Sequence, residues 1–186
     1  MRIISGNFKG KKIFHPLDNY TRPLRDMVKE SIFNLIKHSN KINFKIYDSN
    51  VLDLFSGSGS FGLECISREA QKVMFVENYK KALITLKKNI SLLNANKITE
   101  VVEKDCFDFL EKDNLLKSKF NIIFMDPPYR EKKINILLNK IKEKEILEKN
   151  GIIILHRHKK DDSQITTNFK ILDERNYGIS KIIIGN

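Results

Sequence analysis

The stretch Asn50-Val51-Leu52-Asp53-Leu54-Phe55-Ser56-Gly57-Ser58-Gly59-Ser60-Phe61-Gly62 decides the fold. Its first six residues are an apolar run broken by Asp53, its middle is serine and glycine, and an apolar-periodic segment continues to Arg68. That order reads as strand, glycine loop and helix. Gly57, Gly59 and Gly62 match G-x-G-x-x-G, a weak signal alone that gains weight between a strand and a helix. Glycines let a backbone turn tightly and approach a ligand closely, and an acidic residue closing the next strand can accept hydrogen bonds from ribose hydroxyls. Glu77 closes the run 72–77 and stands in that place. Two adenosine cofactors fit, NAD and S-adenosyl-L-methionine, and the charge of Asp53 separates them. A carboxylate just before the loop repels a pyrophosphate but attracts an ammonium and a sulfonium, which favours the methyl donor. Asp53 as a simple cap on the glycine turn is the structural alternative.

Outward from this stretch, short apolar runs alternate with amphipathic ones. Strands are expected at 72–77, from Val101-Val102 to near Asp105, at 120–125 and at 151–155. Helices are expected at 79–93, where Ala82, Leu83, Leu86, Ile90 and Leu93 recur at helical spacing, and at 131–144. Residues 169–172 and 179–184, joined by a turn at 174–178, read as a terminal antiparallel pair. The fold class is α/β, a single domain built on a Rossmann-like, seven-stranded, mostly parallel sheet with terminal antiparallel strands. Residues 1–45 differ: a hairpin around Gly6-Asn7, an extended connector set by Pro16 and Pro23, and a helix over 26–37. They read as a basic extension beside a catalytic core of residues 46–186.

The chain has 186 residues, of which 41% are hydrophobic, enough for one buried core. No apolar run approaches the ~18 residues of a membrane span, and residues 1–9 lack the ~7–15 residue apolar centre of a signal peptide. A cytoplasmic location with no membrane partner is expected. Cys65 and Cys106 lack metal-ligand spacing and read as buried thiols, so no metal is expected. The net charge is +11, and codon bias toward lysine would spread it evenly. Instead residues 1–45 hold ten basic residues against three acidic ones, which is +7 and leaves +4 for the rest. That excess points to a polyanion facing the N-terminal segment; a solvated basic face is the plainer reading.

The strongest chemical signal is Asp126-Pro127-Pro128-Tyr129, directly after the run 120–125. Consecutive prolines fix two φ angles and remove two N–H donors, so nearby carbonyls keep a rigid aim. The Asp126 carboxylate and the Pro127 carbonyl can accept both hydrogens of a planar amine, and Tyr129 offers a ring for a base to stack on. Asp105 ends the third strand, where it can accept from an adenine amino group or cap the helix that begins at Cys106.

The order Asp53, Gly57-Ser58-Gly59, Glu77, Asp105 and Asp126-Pro127-Pro128-Tyr129 resembles the amino-group N-methyltransferases of the seven-stranded, S-adenosylmethionine-dependent class. Met1-Arg2-Ile3-Ile4-Ser5-Gly6, Lys9-Gly10, Thr21-Arg22-Pro23 with Asp26, and residues 51–59 are similar to the bacterial 16S rRNA guanine-N2 methyltransferase family RsmD. The resemblance implies methylation of the N2 amine of guanine 966 in 16S rRNA, free or within the small ribosomal subunit or its assembly intermediates; a monomer is the default expectation. It implies that Asp53, Gly57 and Gly59 hold the methionine end of S-adenosyl-L-methionine, Glu77 the ribose and Asp105 the adenine. Phe55, Ser58 and Cys106 join them in the cofactor site. Asp126, Pro127, Pro128 and Tyr129 are then catalytic, and Arg2, Lys9, Lys11, Lys12, Arg22 and Arg25 contact RNA. Arg22 and Arg25 also fit a lid over the cofactor. One position departs, since the family commonly has glutamate at the end of the fifth strand and His156 stands here. Residues 155–160 read either as a basic edge near the substrate or as a solvated loop. A DNA adenine-N6 enzyme, a protein glutamine-N5 enzyme and a non-catalytic assembly factor are the rivals. The first lacks length for a recognition domain, the second has little use for the +7 segment, and the third leaves Asp126 to Tyr129 unexplained.

Overall fold

The apolar run at 50–55 becomes β1 (Asn50–Leu54), with Val51, Leu52 and Leu54 wholly buried, as expected of a strand covered on both faces. The structure, a computed structural model, describes residues 1–16, 18, 24–42, 44–112, 119–161, 163–166 and 168–186. The remaining elements are α1 (Asp26–His38), α2 (Ser60–Ser67), β2 (Lys72–Val76), α3 (Lys80–Leu92), β3 (Thr99–Val102) and α4 (Cys106–Lys112). After them come β4 (Phe120–Met125), α5 (Ile134–Glu143), β5 (Leu147–His158), β6 (Ile171–Tyr177) and β7 (Ser180–Gly185). The sheet order is β3-β2-β1-β4-β5-β7-β6. Strands β1 to β5 pair in parallel, and β7 runs antiparallel between β5 and β6. The order reverses between β1 and β4, and ligands of open parallel sheets bind at such a switch point, outside the strand ends.

The α/β sheet therefore has the expected seven strands, while several lengths differ. β5 is not confined to 151–155 but runs from Leu147 to His158, because β7 keeps pairing with it through His158↔Ser180 after β4 has ended at Met125. The stretch 174–178 is not a turn: β6 continues through Tyr177, an edge strand whose Glu174, Arg175 and Asn176 are solvent-exposed. β3 is set two residues earlier by pairing of Thr99 with Val73, and α5 is shorter than 131–144. The N-terminal hairpin reduces to one antiparallel bridge, Arg2↔Lys12, flanked by backbone bonds from Ile3 to Lys11 and from Ile13 to Met1.

Described residues of the segment 1–45, expected beside the core, contribute to it. Ile3, Ile13, Leu24, Val28, Ile32, Phe33 and Ile36 are buried in the same apolar cluster as Val51, Phe61 and Phe124. Phe61 of α2 stacks between Phe33 of α1 (centroids 5.2 Å) and Phe124 of β4 (4.0 Å). Beneath them lies a wholly buried ion pair, Lys29 Nζ to Glu64 Oε2 at 3.5 Å. Glu64 also accepts from the N–H groups of Ile4 (2.8 Å) and Ser5 (2.9 Å) and pairs with Arg68 (3.1 Å). Lys29 donates to the Arg2 carbonyl at 2.7 Å and to Ser60 Oγ at 3.3 Å. The second apolar cluster, on the opposite sheet face, gathers α4, α5 and residues Ile165 and Phe169.

Removing one member of a buried pair strands the other charge, and Glu64 serves more donors than Lys29 serves acceptors. Glu64→Leu is expected to cost about 3–5 kcal/mol of unfolding free energy and Lys29→Met clearly less. Urea unfolding of both variants measures the difference.

Candidate active site

β1 delivers Asp53 into the interior at 1% exposure, and Asp53 Oδ2 accepts the Gly62 N–H at 2.9 Å. It thus satisfies one of the free donors in the first turn of α2 and sits at the positive end of that helix. Asp53 Oδ1 is buried and takes no hydrogen bond from the described residues, and the same holds for Ser56 Oγ. Burial pushes the Asp53 carboxyl well above its usual range; the Gly62 bond opposes this, and the charges of Asp126 and Glu77 add to it. A cationic ligand would reverse that strain, and a carboxylate oxygen and a hydroxyl each left without a partner are acceptors that suit an ammonium group. The donor and acceptor set therefore fits S-adenosyl-L-methionine.

The loop is shaped by glycine where no other residue serves. Gly59 has φ +81°, and a Cβ there would stand 2.5 Å from Leu86 Cδ1. A Cβ on Gly62 would stand 2.4 Å from the Phe75 ring, so Gly62 seats α2 directly on β2. Phe55 adopts φ +58° without being glycine, a costly conformation held by its N–H bond to Cys106 Sγ at 3.3 Å. Cys106 is buried, and burial pushes its thiol far up, so it supports the loop as a neutral side chain. Glu77 Oε2 accepts from Gly57 N–H at 2.7 Å, and Oε1 from the N–H groups of Asn78 (2.9 Å) and Tyr79 (2.8 Å). Glu77 thus ties the glycine loop to the end of β2 while staying half-buried. Asp105 caps α4, accepting from Phe107 N–H at 2.8 Å, and its Oδ2 accepts from the Asn78 side chain at 3.1 Å. Ser58 is buried and its carbonyl accepts from Asn89 Nδ2 at 3.0 Å. Asn89, wholly buried on α3, also exchanges two bonds with the Phe14 backbone and so docks the N-terminal segment on the loop. Sequence reasoning missed Asn89; an Asn on the apolar face of a predicted helix was the available signal.

Across the switch point, Asp126 comes directly after β4, and its N–H reaches the Leu54 carbonyl at 3.5 Å. Asp126 is half-buried, Pro127 buried, and Tyr129 54% exposed. The end of β5, for which the sequence left a basic edge near the substrate or a solvated loop open, is strand through His158 and holds this tetrapeptide with three consecutive side chains. His156 Nδ1 bonds Asp126 Oδ1 at 2.7 Å, and its Nε2 meets Ser180 Oγ at 2.9 Å. The buried Arg157 donates to the carbonyls of Pro128 (3.4 Å), Tyr129 (3.5 Å) and Glu131 (2.8 Å) and pairs with Asp161. The His158 ring meets the Tyr129 ring edge-on at 5.1 Å. Asp126 Oδ2 and the Pro127 carbonyl take no hydrogen bond from the described residues, which leaves two acceptors open side by side in sequence.

The basic residues divide. Lys9, Lys11, Lys12 and Arg25 are exposed, Arg2 pairs with Asp26 at 3.4 Å, and Arg22 lies outside the described residues with Thr21 and Pro23. Lys29, counted in the +7, is buried and neutralised by Glu64, so it faces no polyanion. Lys88 of α3 joins the exposed set, its Nζ 3.7 Å over the ring of Phe14, as Lys11 lies 4.9 Å over Phe8. Among the described residues no three His, Cys, Asp or Glu side chains gather as metal ligands.

All 186 residues match the family model described as Conserved hypothetical protein 95. YlbH of Bacillus subtilis (strain 168) is 34% identical over 186 residues, covering 99% of this chain and 97% of its own. The protein named ribosomal RNA small subunit methyltransferase D in Buchnera aphidicola subsp. Acyrthosiphon pisum is 33% identical over 174 residues, 93% of this chain and 86% of its own. The solved structure of yhhF from Escherichia coli superposes with a TM-score of 0.83 at 27% identity, covering 100% of this chain and 96% of that one.

Burial works against ionising Asp161, but its bonds to Arg157, Ser163 and Lys132 outweigh that and hold its carboxyl well below the usual range. A depressed carboxyl stabilises fully above its unfolded value of ~4 and loses that contribution as pH falls toward the folded value. Asp161→Asn is expected to cost about 3 kcal/mol at neutral pH, and the difference should shrink steadily below about pH 4. Urea unfolding at a series of pH values reads both.

Proposed function

The chain belongs to the Conserved hypothetical protein 95 family, that of the ribosomal RNA small subunit methyltransferases D, and from that premise we propose its reaction. It is a methyltransferase that moves a methyl group from S-adenosyl-L-methionine to the exocyclic N2 amine of a guanine in small-subunit rRNA, guanine 966 by family. The observation that carries this reading is the open acceptor pair of Asp126 Oδ2 and the Pro127 carbonyl at the sheet's switch point.

S-adenosyl-L-methionine supplies an electrophilic methyl on a sulfonium. Asp53 Oδ1 and Ser56 Oγ are the groups that hold its methionine end, with Glu77 assigned to the ribose and Asp105 to the adenine. Asp126 and Pro127 accept the two amine hydrogens, which localises the nitrogen lone pair and aims it. The exposed Tyr129 ring stacks on the base, worth ~1–3 kcal/mol in comparable sites. Attack must be in line, so fixing the amine supplies most of the acceleration. The proton released by the methylated nitrogen passes to Asp126 or water. The target base must leave any stack, which a single-stranded RNA loop permits cheaply. Lys9, Lys11, Lys12, Arg25 and Lys88, interleaved with Phe8 and Phe14, form the RNA-facing surface of a monomer. Free RNA and assembled small-subunit particles are both substrates to test.

Asp126→Ala is expected to abolish tritiated methyl transfer to 16S rRNA while cofactor affinity by calorimetry stays within about threefold. Transfer to DNA or protein but not RNA would overturn the reading. Lys11→Glu with Lys12→Glu should weaken RNA binding and flatten the slope of log affinity against log salt by about 2; filter binding over a salt series measures it.

A further inference from the structure

Asp126 does not stand alone at the amine site. Its Oδ1 is taken by His156 Nδ1 at 2.7 Å, and the far side of that ring meets Ser180 Oγ at 2.9 Å. Asp126 directly follows β4, His156 is on β5 and Ser180 opens β7, so a hydrogen-bonded line crosses three adjacent strands, with Ser180 diagonal to His156, two residues from its register partner Ile182. His156 is 18% exposed at its side chain and Asp126 27%, so solvent screens the pair only in part. We propose that His156 is the positioning residue of the methyl-transfer step: it occupies one oxygen of Asp126 and turns the other to the amine, and its proton sets the strength of that acceptor. The inference rests on the assignment of Asp126 to the amine.

The line works in both protonation states of the imidazole. A neutral ring keeps Nδ1–H on Asp126 and accepts at Nε2 from the Ser180 hydroxyl. A charged ring donates from both nitrogens, and the hydroxyl rotates to accept. The carboxylate geometry is thus constant while its effective charge changes. With the imidazolium beside it, Asp126 shares its negative charge and grips the amine hydrogens more weakly. When the proton leaves, Asp126 faces the amine as an uncompensated carboxylate, and the lone pair is better localised.

The groups facing this pair come from every neighbouring element. Asp126 directly follows β4, Arg157 and His158 come after His156 on β5, Ser180 opens β7, and the buried Asp53 of β1 feels the charge of Asp126. Burial of the ring opposes its charging and Arg157 adds to that, but the charge and hydrogen bond of Asp126 outweigh both, so the imidazole holds its proton above its ordinary pH. Arg157 is itself committed to Asp161, and His158 to the Tyr129 ring. Turnover should therefore rise as pH passes upward through a titration lying above ~6.5.

Methyl transfer to 16S rRNA is followed from about pH 5.5 to 9 for the wild type, His156→Ala, His156→Asn and Asp126→Ala, with cofactor affinity and thermal unfolding recorded for each. His156→Ala is expected to lower kcat at least about tenfold with KM for RNA and cofactor affinity within about threefold. Asn places an amide N–H where Nδ1–H stood and cannot titrate, so His156→Asn should recover most of kcat at high pH and lose the rising limb. A wild-type kcat in the alanine variant, or an unchanged limb in the asparagine variant, overturns the inference. If the alanine variant fails to fold, the limb in the asparagine variant decides. Activity surviving in Asp126→Ala would instead overturn the amine-site assignment itself.

Discussion

The Glu64 carboxylate has no exposed surface, and everything that makes its burial tolerable comes from elsewhere in the chain. An uncompensated buried charge costs several kcal/mol, so the four groups that satisfy it are held as firmly as it is. Those groups are Ile4 N–H, Ser5 N–H, Lys29 and Arg68, drawn from the N-terminal turn, α1 and the end of α2. α2 carries Glu64 at its middle and begins at the glycine loop, so fixing this carboxylate also fixes the helix start on which Asp53 and Gly62 meet. The Phe33–Phe61–Phe124 stack then carries the same constraint to β4, which leads directly into Asp126. The described N-terminal residues are in this sense part of the core that supports the glycine loop.

Charge is sorted by location. The switch point between β1 and β4 gathers Asp53, Glu77 and Asp126, close enough that the latter two raise the proton affinity of the first. Such a crevice suits a ligand with positive groups at one end and repels phosphate. Lysines 9, 11, 12 and 88 are exposed, with Lys11 over the ring of Phe8 and Lys88 over that of Phe14, a surface that suits the reverse ligand. A protein that must bring a cationic methyl donor and a polyanionic substrate to one point gains from keeping those two fields apart.

The sequence was legible wherever a local pattern determines the outcome. The core strands and helices arise from apolar runs and helical spacing, and β4 matches its expected span at both ends because its run is bounded by a lysine-rich stretch and a proline pair. Element lengths set by distant pairing were not legible: nothing local tells His156, Arg157 and His158 that β7 will pair beside them. Buried polar groups were the other blind spot. Lys29 reads as one more basic residue and Asn89 as one more polar one, yet each is wholly buried. Their roles depend on Glu64 and on the Phe14 backbone, 35 and 75 residues away in the chain. Of the residues proposed to hold the cofactor, the glycines and Glu77 stand out by their motif and the Asp105 cap on α4 was one of two local readings, whereas the Cys106 contact with Phe55 needed the third dimension.

The overhang of β5 explains why the tetrapeptide after β4 is rigid. Prolines restrict Asp126-Pro127-Pro128-Tyr129 but cannot orient it against the rest of the fold, since they limit φ at 127 and 128 and ψ at 126 and 127, restraints internal to the loop. Orientation comes from β5 continuing past the last β4 partner, Leu155↔Met125, with β7 as its remaining neighbour. Alternation along a strand then sends His156 and His158 to one face and Arg157 to the other. The first two meet the Asp126 carboxylate and the Tyr129 ring, while Arg157 reaches the loop's carbonyls from the buried side. A loop held on side chain, ring and backbone at once has little freedom to relax when substrate arrives, and a reaction that depends on aligning three atoms benefits from that stiffness more than from any added chemical group.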